Sequence, residues 1–390
     1  MKDRPSLPPP IWVDTTAGFR AMLSHLRGEP ALAIDTESNS LYAYRERVCL
    51  LQISVPGSDY LVDPLSLDDL SALGSLLADP AVLKVLHGAE YDLRGLHRDF
   101  GFTLANLFDT MWASRILGWP AHGLASLLQT HFGVHLDKRY QRANWGVRPL
   151  PPEQLNYARL DSHYLLPLYE LQAGALAAKK RWPQARHRFE LLAQTRCEAK
   201  PFDPEGFWRL PGVHDLDDAG RGVLRELYLF RDRCARSEDR PPFKVLSTTA
   251  LLALSERRPQ NPAALRQVRG ISERMVGVYG QELLAAIRRG MARPLAWEKR
   301  PHLNNDLAHR PDGRPSGACQ ARFEALRAWR NARAKAHGVE PDIILPNHTL
   351  WLVAERNPRS RADLTRNGLL ARWQAEEFGD ELLAILNSAR

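Results

Sequence analysis

An internal repeat in the C-terminal half of the chain constrains its fold more than any other feature. When the 390-residue sequence is shifted by 99 positions without gaps, residues 225–287 align with residues 324–386, and 16 of the 63 pairs are identical. Aromatic positions correspond as well, since Phe230 aligns with Trp329. A register that holds through several loops predicts two copies of one small, all-α module.

The N-terminal half follows a different pattern, in which strand-like and helix-like segments alternate. Apolar runs of strand length occupy residues 32–35, 48–55, 60–62 and 82–87. Stretches with helical spacing cover residues 67–77, 91–100, 109–117 and 124–132. A further helix is expected from near Pro152, and Pro167 should bend or interrupt it. Because strands come early and helices dominate later, we predict an α/β domain with a mixed sheet flanked by helices.

These patterns divide the chain into four parts. We predict the α/β domain over residues 10–195, the first module over 214–295, a linker over 296–317 and the second module over 318–390. The linker is rich in Pro, Asn, Asp and Gly, which disfavour regular structure.

The composition of the chain excludes several classes of protein. Apolar residues make up 44% of the chain and charged residues 25%, as in ordinary globular proteins rather than disordered or fibrous ones. No segment approaches the roughly 18 consecutive apolar residues of a membrane span, and the N-terminus has no apolar secretory signal. The absence of such a segment predicts no membrane association. The four cysteines are widely spaced without a CxxC pair, which predicts a reducing, cytoplasmic environment.

Basic charge is concentrated in the C-terminal half. Residues 1–200 contain 22 Lys or Arg and 21 Asp or Glu, whereas residues 201–390 contain 31 and 24, within a net formal charge of +8. Such an excess indicates either a solvated surface or a polyanionic partner such as nucleic acid. The arginines of the first module that could contact phosphates are Arg231, Arg233, Arg236, Arg257, Arg258, Arg266, Arg269 and Arg274.

Two short acidic patterns lie at the end of a predicted strand or shortly after one. Asp35 and Glu37 follow an apolar run, and residues i and i+2 of a strand point to the same face, so both carboxylates should converge. Two such anions repel each other unless a cation lies between them. Asp92 would lie in the first turn of the helix that follows the strand ending at His87. Alone, each pattern is also compatible with solvated acids or with a favourable helix-dipole interaction.

A third pattern lies on a later helix. Tyr157 and Asp161 are four residues apart and share one helical face, so a phenol and a carboxylate could meet at one bound water, although a simple surface contact has the same spacing. Together with Asp35, Glu37 and Asp92, this gives four carboxylates, a set that suits hard divalent cations such as Mg²⁺ or Mn²⁺. Two such ions about 4 Å apart can stabilise the attacking and leaving oxygens of a phosphodiester.

The segments that carry these acids resemble the three motifs of one enzyme family. Three segments are similar to the motifs of the ribonuclease D family, in the DEDD superfamily of 3′→5′ exonucleases. They begin at Ile34, Lys84 and Tyr157 and read IDTESNSLYAYRERVCLLQIS, KVLHGAEYDLRGL and YARLDSHYLLPLY. Between the second and third motifs the family usually has Asp where this chain has Asn144. The two repeats resemble the helicase-and-RNase-D C-terminal (HRDC) module, in segments such as ISERMVGVYGQELLAAI.

This resemblance implies a ribonuclease H-like fold and a metal-dependent 3′→5′ exoribonuclease that removes nucleotides one at a time from RNA 3′ ends, as in tRNA processing. It implies two divalent metal ions, Mg²⁺ or Mn²⁺, bound by Asp35, Glu37, Asp92 and Asp161. One branch of the family has Tyr four residues before the last Asp, and the other has His five residues before it. This chain has Tyr157 and Asn156 at those positions, which implies the tyrosine branch. In that branch we expect Tyr157 to orient the attacking water or, with a lowered pKa, to accept its proton.

Other residues in these segments are candidates for substrate contacts. We expect His87, Gln141 and Arg148 to bind RNA, with a buried structural role as the alternative for His87. Tyr42 and Tyr44 could stack on a base or pack within a hairpin.

The resemblance implies precursor tRNA as the substrate, and we expect a monomer in the cytoplasm. A 3′→5′ DNA exonuclease would use the same acids, and only contacts to the 2′-hydroxyl would separate the two activities. An inactive nucleic-acid-binding protein would require the loss of a metal ligand, yet all four acids are present. A helicase accessory module is disfavoured because the sequence has no GxxxxGKS or GxxxxGKT phosphate loop.

Overall fold

The computed structural model describes residues 7–197, 201–299 and 316–388. Its N-terminal domain contains the strands β1 Ile11–Val13, β2 Ala31–Ser38, β3 Val48–Val55, β4 Ser58–Val62, β5 Leu83–Leu86 and β6 Leu107–Asp109. They form one six-stranded sheet in the order β1-β4-β3-β2-β5-β6. The pairs β1–β4, β2–β5 and β5–β6 are parallel, whereas β3 and β4 are antiparallel, so the sheet is mixed as predicted.

Helices flank this sheet, which confirms the predicted α/β class. They are α1 Thr16–Leu26, α2 Ser71–Ala78, α3 Glu90–Phe100, α4 Thr110–Leu117, α5 Leu124–Phe132, α6 Pro152–His163, α7 Leu165–Ala178 and α8 Trp182–Ala193.

The central strands are buried because helices cover both faces of the sheet. All eight residues of β3 are buried, including the polar residues Gln52 and Ser54. In β2, Leu32 and Ile34 pack in a core with α1, α2 and α3, whereas Ala33 packs in a second core with α4, α7 and α8. This burial fixes the register of β2, and with it the face on which Asp35 and Glu37 lie.

The interruption predicted from Pro167 occurs just before the proline. α6 ends at His163 and α7 begins at Leu165, with Tyr164 at φ −94° and ψ 2° between them. Proline has no N–H, and within a helix its ring clashes with the carbonyl four residues earlier, which here belongs to His163. Pro167 is therefore accommodated in the first turn of α7, and α6 stops just after Asp161.

The C-terminal part of the chain is helical and repeats one arrangement. The first module contains α9 Asp218–Ser237, α10 Pro242–Val245, α11 Thr248–Arg257, α12 Pro262–Arg266 and α13 Glu273–Met291. The second contains α14 Gly317–His337, α15 Pro341–Ile344, α16 Asn347–Arg356, α17 Arg361–Thr365 and α18 Arg372–Ser388. Each helix of the second module begins 99 residues after its counterpart, which confirms the predicted all-α repeat.

The chain divides into two compact units. One contains the α/β domain and the second module, and the other contains the first module together with residues 38–47. Within the first unit, the guanidinium of Arg115 on α4 bonds Glu340 and Asp342 of the second module, at nitrogen–oxygen distances of 2.5 and 2.8 Å. These charges hold the second module against the α/β domain.

Residues 38–47, which begin at the last residue of β2, pack against the first module within the other unit. The hydroxyl of Tyr44 donates a hydrogen bond of 2.6 Å to Asp232, and its backbone N–H donates one of 3.0 Å to Asp239. The ammonium of Lys244 lies 4.0 Å from the ring centre of Tyr42. Both tyrosines therefore pack against the first module, which is neither of the two roles expected for them, base stacking or packing within a hairpin.

Residues 300–315, which make up most of the predicted linker, lie outside the described residues, as do residues 389–390 at the end of the predicted second module. In the ranges that are described, no helix combines the length and the apolar character that crossing a bilayer requires.

Candidate active site

The end of β2 provides the first part of an acidic cluster. Asp35 and Glu37 share one face of the strand, because successive side chains alternate between faces. One carboxylate oxygen from each of Asp35, Glu37 and Asp161 lies within 4.8 Å of the other two. The structure thus brings together acids from β2 and α6 that are far apart in the sequence.

Asp92 lies beside these three acids, in the first turn of α3. Its side chain is buried, and its Oδ1 accepts a hydrogen bond of 2.5 Å from the hydroxyl of Thr36. It does not belong to the group whose oxygens lie within 4.8 Å of one another. Its charge nevertheless adds to the effect of burial in raising the pKa of Asp35, Glu37 and Asp161. Asp92 is therefore an electrostatic neighbour of the other three.

The turn that leads into α3 depends on a buried acid that the sequence analysis did not single out. The carboxylate of Asp109 accepts hydrogen bonds from the backbone N–H groups of Gly88 and Ala89, at 3.1 and 2.8 Å. It also caps α4 by accepting from the N–H groups of Met111 and Trp112. The sequence did carry one indication of this capping role, because Asp109 is the first residue of a predicted helix. Asp109 thereby fixes the start of the helix that carries Asp92.

A second buried network holds α6 against the sheet. The Ser54 hydroxyl donates a hydrogen bond of 2.7 Å to Asp59 and lies 2.8 Å from the hydroxyl of Ser162. Asp59 also lies 2.9 Å from Nδ1 of His163. These residues join β3 and β4 to the C-terminal end of α6, directly beside Asp161. They have no sequence signature, because the contacts are long-range and each residue type is common.

Burial raises the pKa of every acid in the cluster, and repulsion by neighbouring acids of the cluster adds to this effect for Asp35, Glu37 and Asp161. Removal from water is the largest cause in all four, and it raises the pKa of Asp92 and Asp161 from 3.8 to about 7. For Asp35, the charges of Asp92, Asp161 and Glu37 add to this effect, and its pKa lies well above the ordinary value. Carboxylates that repel one another in a partly dry site form an acceptor-only set of oxygens, which suits a divalent cation.

Tyr157 lies on the same face of α6 as Asp161, one helical turn earlier. Its buried ring packs near Tyr140 and Trp145, with ring centres 5.7 and 6.2 Å away. Burial, followed by the charges of Asp161 and Glu37, raises the pKa of its hydroxyl further above 10. The phenol therefore remains protonated at neutral pH and can act as a hydrogen-bond donor.

A cavity of about 380 Å³ opens over the acids. Its wall is formed by three of the four acids, by Tyr157, by the start of α5, and by two of the residues predicted to bind substrate. The lining residues are Asp35, Thr36, Glu37, His87, Gly123, Leu124, Ala125, Ser126, Leu136, Gln141, Tyr157 and Asp161. His87 and Gln141 thus share a cavity with the acids.

Arg148, the third residue predicted to bind substrate, does not line this cavity. Its guanidinium forms two hydrogen bonds of 2.7 Å with the carboxylate of Asp63, which follows β4. It also donates to the carbonyl oxygens of Cys49 and Trp145, at 2.6 and 2.8 Å. These contacts tie the segment before α6 to β3 and β4, so the structure gives Arg148 a supporting position instead of the expected one at the substrate.

We expect Arg148→Met to destabilise the fold, because Asp63, whose side chain is only 2% exposed, would lose its charged partner. Removing one partner of a buried ion pair costs about 3 kcal/mol in the free energy of unfolding, which urea denaturation would measure. The matched control is Arg139→Met, because Arg139 pairs with Asp137 but is 80% exposed, so its loss should cost less than about 1 kcal/mol. Equal effects of the two substitutions would contradict the supporting role of Arg148.

Comparison with known families matches both halves of the chain. Residues 10–171 match the family described as 3′-5′ exonuclease. Residues 220–287 and 320–386 each match the HRDC domain. The repeat detected within the sequence thus corresponds to two copies of that domain.

Individual relatives match a large part of the chain. The chain is 31% identical to ribonuclease D of Gluconacetobacter diazotrophicus over 97% of its own length and 93% of that protein. It is 36% identical to the exosome complex exonuclease RRP6 of Saccharomyces cerevisiae over 63% of its length, but spans only 36% of the yeast protein. The crystal structure of the RRP6 catalytic core from Trypanosoma brucei superimposes with a TM-score of 0.67 and 30% identity, covering 74% of this chain and 82% of that one.

Proposed function

Because this chain belongs to the ribonuclease D family of 3′-5′ exonucleases, we propose that it hydrolyses RNA from the 3′ end and releases one nucleotide at each step. One observation carries this proposal, namely the meeting of acids from β2, α3 and α6, together with Tyr157, beside a single cavity. An inactive binding protein would have no need to gather buried acids whose pKa values are all raised.

The four acids would serve as ligands. We propose that Asp35, Glu37, Asp92 and Asp161 hold two divalent ions, Mg²⁺ or Mn²⁺, which supply positive charge to the attacking and leaving oxygens of the phosphodiester. The fit to such ions rests on the closely spaced oxygens and on the raised pKa of each acid. The carboxylates contribute charge and position, and none of them needs to form a covalent bond with RNA.

Tyr157 would orient the attacking water. Its hydroxyl keeps its proton because burial and the neighbouring carboxylates raise its pKa, so it can donate a hydrogen bond to the water oxygen. Of the two roles expected for this residue, orientation is therefore the one that we propose. His87 and Gln141 would contact the terminal nucleotide within the cavity.

The domain composition supports a proposal for the physiological substrate. HRDC modules beside an exonuclease domain suit a structured RNA, and we propose precursor tRNA with a 3′ extension. We further propose that the enzyme is a monomer acting in the cytoplasm, where its four cysteines would stay reduced.

End-labelled RNA tests the proposed activity directly. The purified protein, with Mg²⁺ or Mn²⁺ added, should shorten a 3′-extended tRNA in single-nucleotide steps and leave a 5′ label on the trimmed product. A DNA strand of the same sequence in the same reaction serves as the alternative substrate, and preference for it would favour a DNA exonuclease. Absence of shortening in both metals would refute the proposal.

We expect Tyr157→Phe to lower the rate of nucleotide release by about 10² while the protein stays folded. The substitution removes only the hydroxyl that would orient water, and positioned donors or acids of this kind contribute on the order of 10²–10⁴. Tyr169→Phe is the matched control, because Tyr169 packs against Phe108 away from the cavity and should keep the wild-type rate. Single-turnover rates at saturating RNA would measure both, and equal rates for the two variants would contradict the role of Tyr157.

A further inference from the structure

His87 occupies the turn between β5 and α3 and is held by a hydroxyl on α4. Its Nδ1 lies 2.9 Å from Oγ1 of Thr110, and Oγ1 in turn lies 3.0 Å from the carbonyl oxygen of Leu86. A threonine hydroxyl has one proton, and the contact with the carbonyl requires it, because two oxygen acceptors at this distance would otherwise repel each other. Nδ1 of His87 must therefore be the donor to Thr110.

This hydrogen bond fixes the tautomer of the ring. A neutral imidazole with a proton on Nδ1 has a free lone pair on Nε2, so Nε2 can only accept a hydrogen bond. Burial lowers the pKa of His87 to about 4, which keeps the ring neutral at physiological pH. Among the described residues, no group is bonded to Nε2, and His87 forms part of the cavity wall. The cavity therefore presents an acceptor that its own walls do not satisfy.

The hydrogen-bond donors of a nucleotide limit which of its groups this acceptor could bind. A phosphate diester offers only acceptors, and the donor groups of the four bases differ in number and position. An enzyme that releases nucleotides of any sequence needs contacts that all of them share, and only the ribose hydroxyls are donors common to every ribonucleotide. The ligand atoms that could hold one cation are oxygens of Asp35, Glu37 and Asp161, and Nε2 of His87 is not among them.

We propose that Nε2 of His87 accepts a hydrogen bond from the 2′-hydroxyl of the terminal nucleotide, and that this contact makes the enzyme prefer RNA to DNA. The inference rests on the proposed exonuclease function and extends it to the choice of sugar. DNA lacks this donor, so a deoxynucleotide in the cavity leaves Nε2 without a partner. A polar site left unpaired in this way discriminates against the analogue that lacks the hydroxyl.

Three RNA strands test the contact if they differ only in the 2′ group of the last nucleotide. One carries the hydroxyl, one carries hydrogen, and one carries fluorine, which cannot donate a hydrogen bond but preserves the sugar conformation of RNA. Wild type should release the ribonucleotide about tenfold faster than either analogue, the effect of one neutral hydrogen bond. His87→Ala should reduce this ratio to about one, mainly by slowing the release of the ribonucleotide.

Thr110→Val provides a second variant that leaves His87 in place. Valine has nearly the shape of threonine but cannot bond Nδ1, so the tautomer is no longer fixed and the ratio should fall below that of wild type. This variant decides the question if His87→Ala does not fold, which a thermal unfolding curve would reveal.

The outcomes separate the two proposals. If wild type releases no nucleotide from any strand, the exonuclease function itself fails. If wild type is active but His87→Ala slows all three strands by the same factor, Nε2 bonds a group other than the 2′-hydroxyl, such as the 3′-hydroxyl, and the inference about sugar choice is overturned. An unchanged ratio in both variants has the same consequence.

Discussion

Replacing Asp35 with asparagine is expected to abolish nucleotide release while stabilising the metal-free protein. Asp35 interacts with all three other acids of the cluster, since the charges of Glu37, Asp92 and Asp161 raise its pKa in addition to burial. Removing one proposed metal ligand should lower the rate by at least about 10³, because the charge that stabilises the transition state is lost. Removing one repelling charge should raise the free energy of unfolding by about 1 kcal/mol.

A substitution that lowers activity but raises stability indicates a functional site, whereas a substitution at a structural site would lower stability. Asp68→Asn is the matched control, because it also removes one carboxylate but lies exposed in the segment before α2. It should change neither the rate of release nor the midpoint of thermal unfolding measured in EDTA. A loss of stability in Asp35→Asn would show that the carboxylate holds the fold together, and retained activity would remove Asp35 from the proposed mechanism.

The repeat was the part of the fold that the sequence predicted most closely. Its gapless offset carries over to the helices, so that α11 Thr248–Arg257 and α16 Asn347–Arg356 begin and end at equivalent positions. Even the backbone repeats, because Arg258 and Asn357 both have positive φ values, 49° and 47°, directly after these helices. A packing arrangement used twice imposes the same constraints on both segments, and a comparison within one sequence detects them.

Short and context-dependent elements were not predictable. β1 and β6 have only three residues each, too few for an alternating or apolar run to stand out, and they become strands because β4 and β5 offer free edges. The segment predicted as a helix from residue 67 becomes helical only at Ser71. In these places the neighbouring strands and the core decide the structure, and local sequence carries little of that information.

Polar contacts that form only in the folded structure could not be predicted either. Five of the arginines that could contact phosphate also bond groups of their own module, as in the pair of Arg258 with Asp217 at 2.9 Å. The others in this set are Arg231, Arg236, Arg257 and Arg266. A basic residue in a sequence shows its charge but not the acid or carbonyl that the fold places beside it. The acids of the site were easier to predict, because their spacing within each motif is local.

Removing divalent metal should abolish nucleotide release, and returning Mg²⁺ or Mn²⁺ should restore it. EDTA is expected to lower the rate by at least about 10³, since the acids alone place negative charge beside a negatively charged phosphodiester. Activity is not the only readout, because metal that binds the folded state raises the midpoint of thermal unfolding. Asp161→Asn should lose most of that rise, whereas Asp68→Asn should keep it.

The effect of metal on stability should depend on pH in a definite direction. In the metal-free protein, the pKa of Asp92 and Asp161 is raised from 3.8 to about 7, so between these values the folded state holds protons that the unfolded chain releases. Stability without metal should therefore fall as pH rises from about 4 to 7, because the buried acids lose their protons over this range and then repel one another as charged groups. Protons compete with metal for the same oxygens, so the rise in unfolding midpoint produced by Mg²⁺ or Mn²⁺ should be small at pH 5 and large at pH 8. An equal rise at both pH values would mean that the ions bind elsewhere, since no other set of acids on the described part of the chain combines this burial with this mutual repulsion.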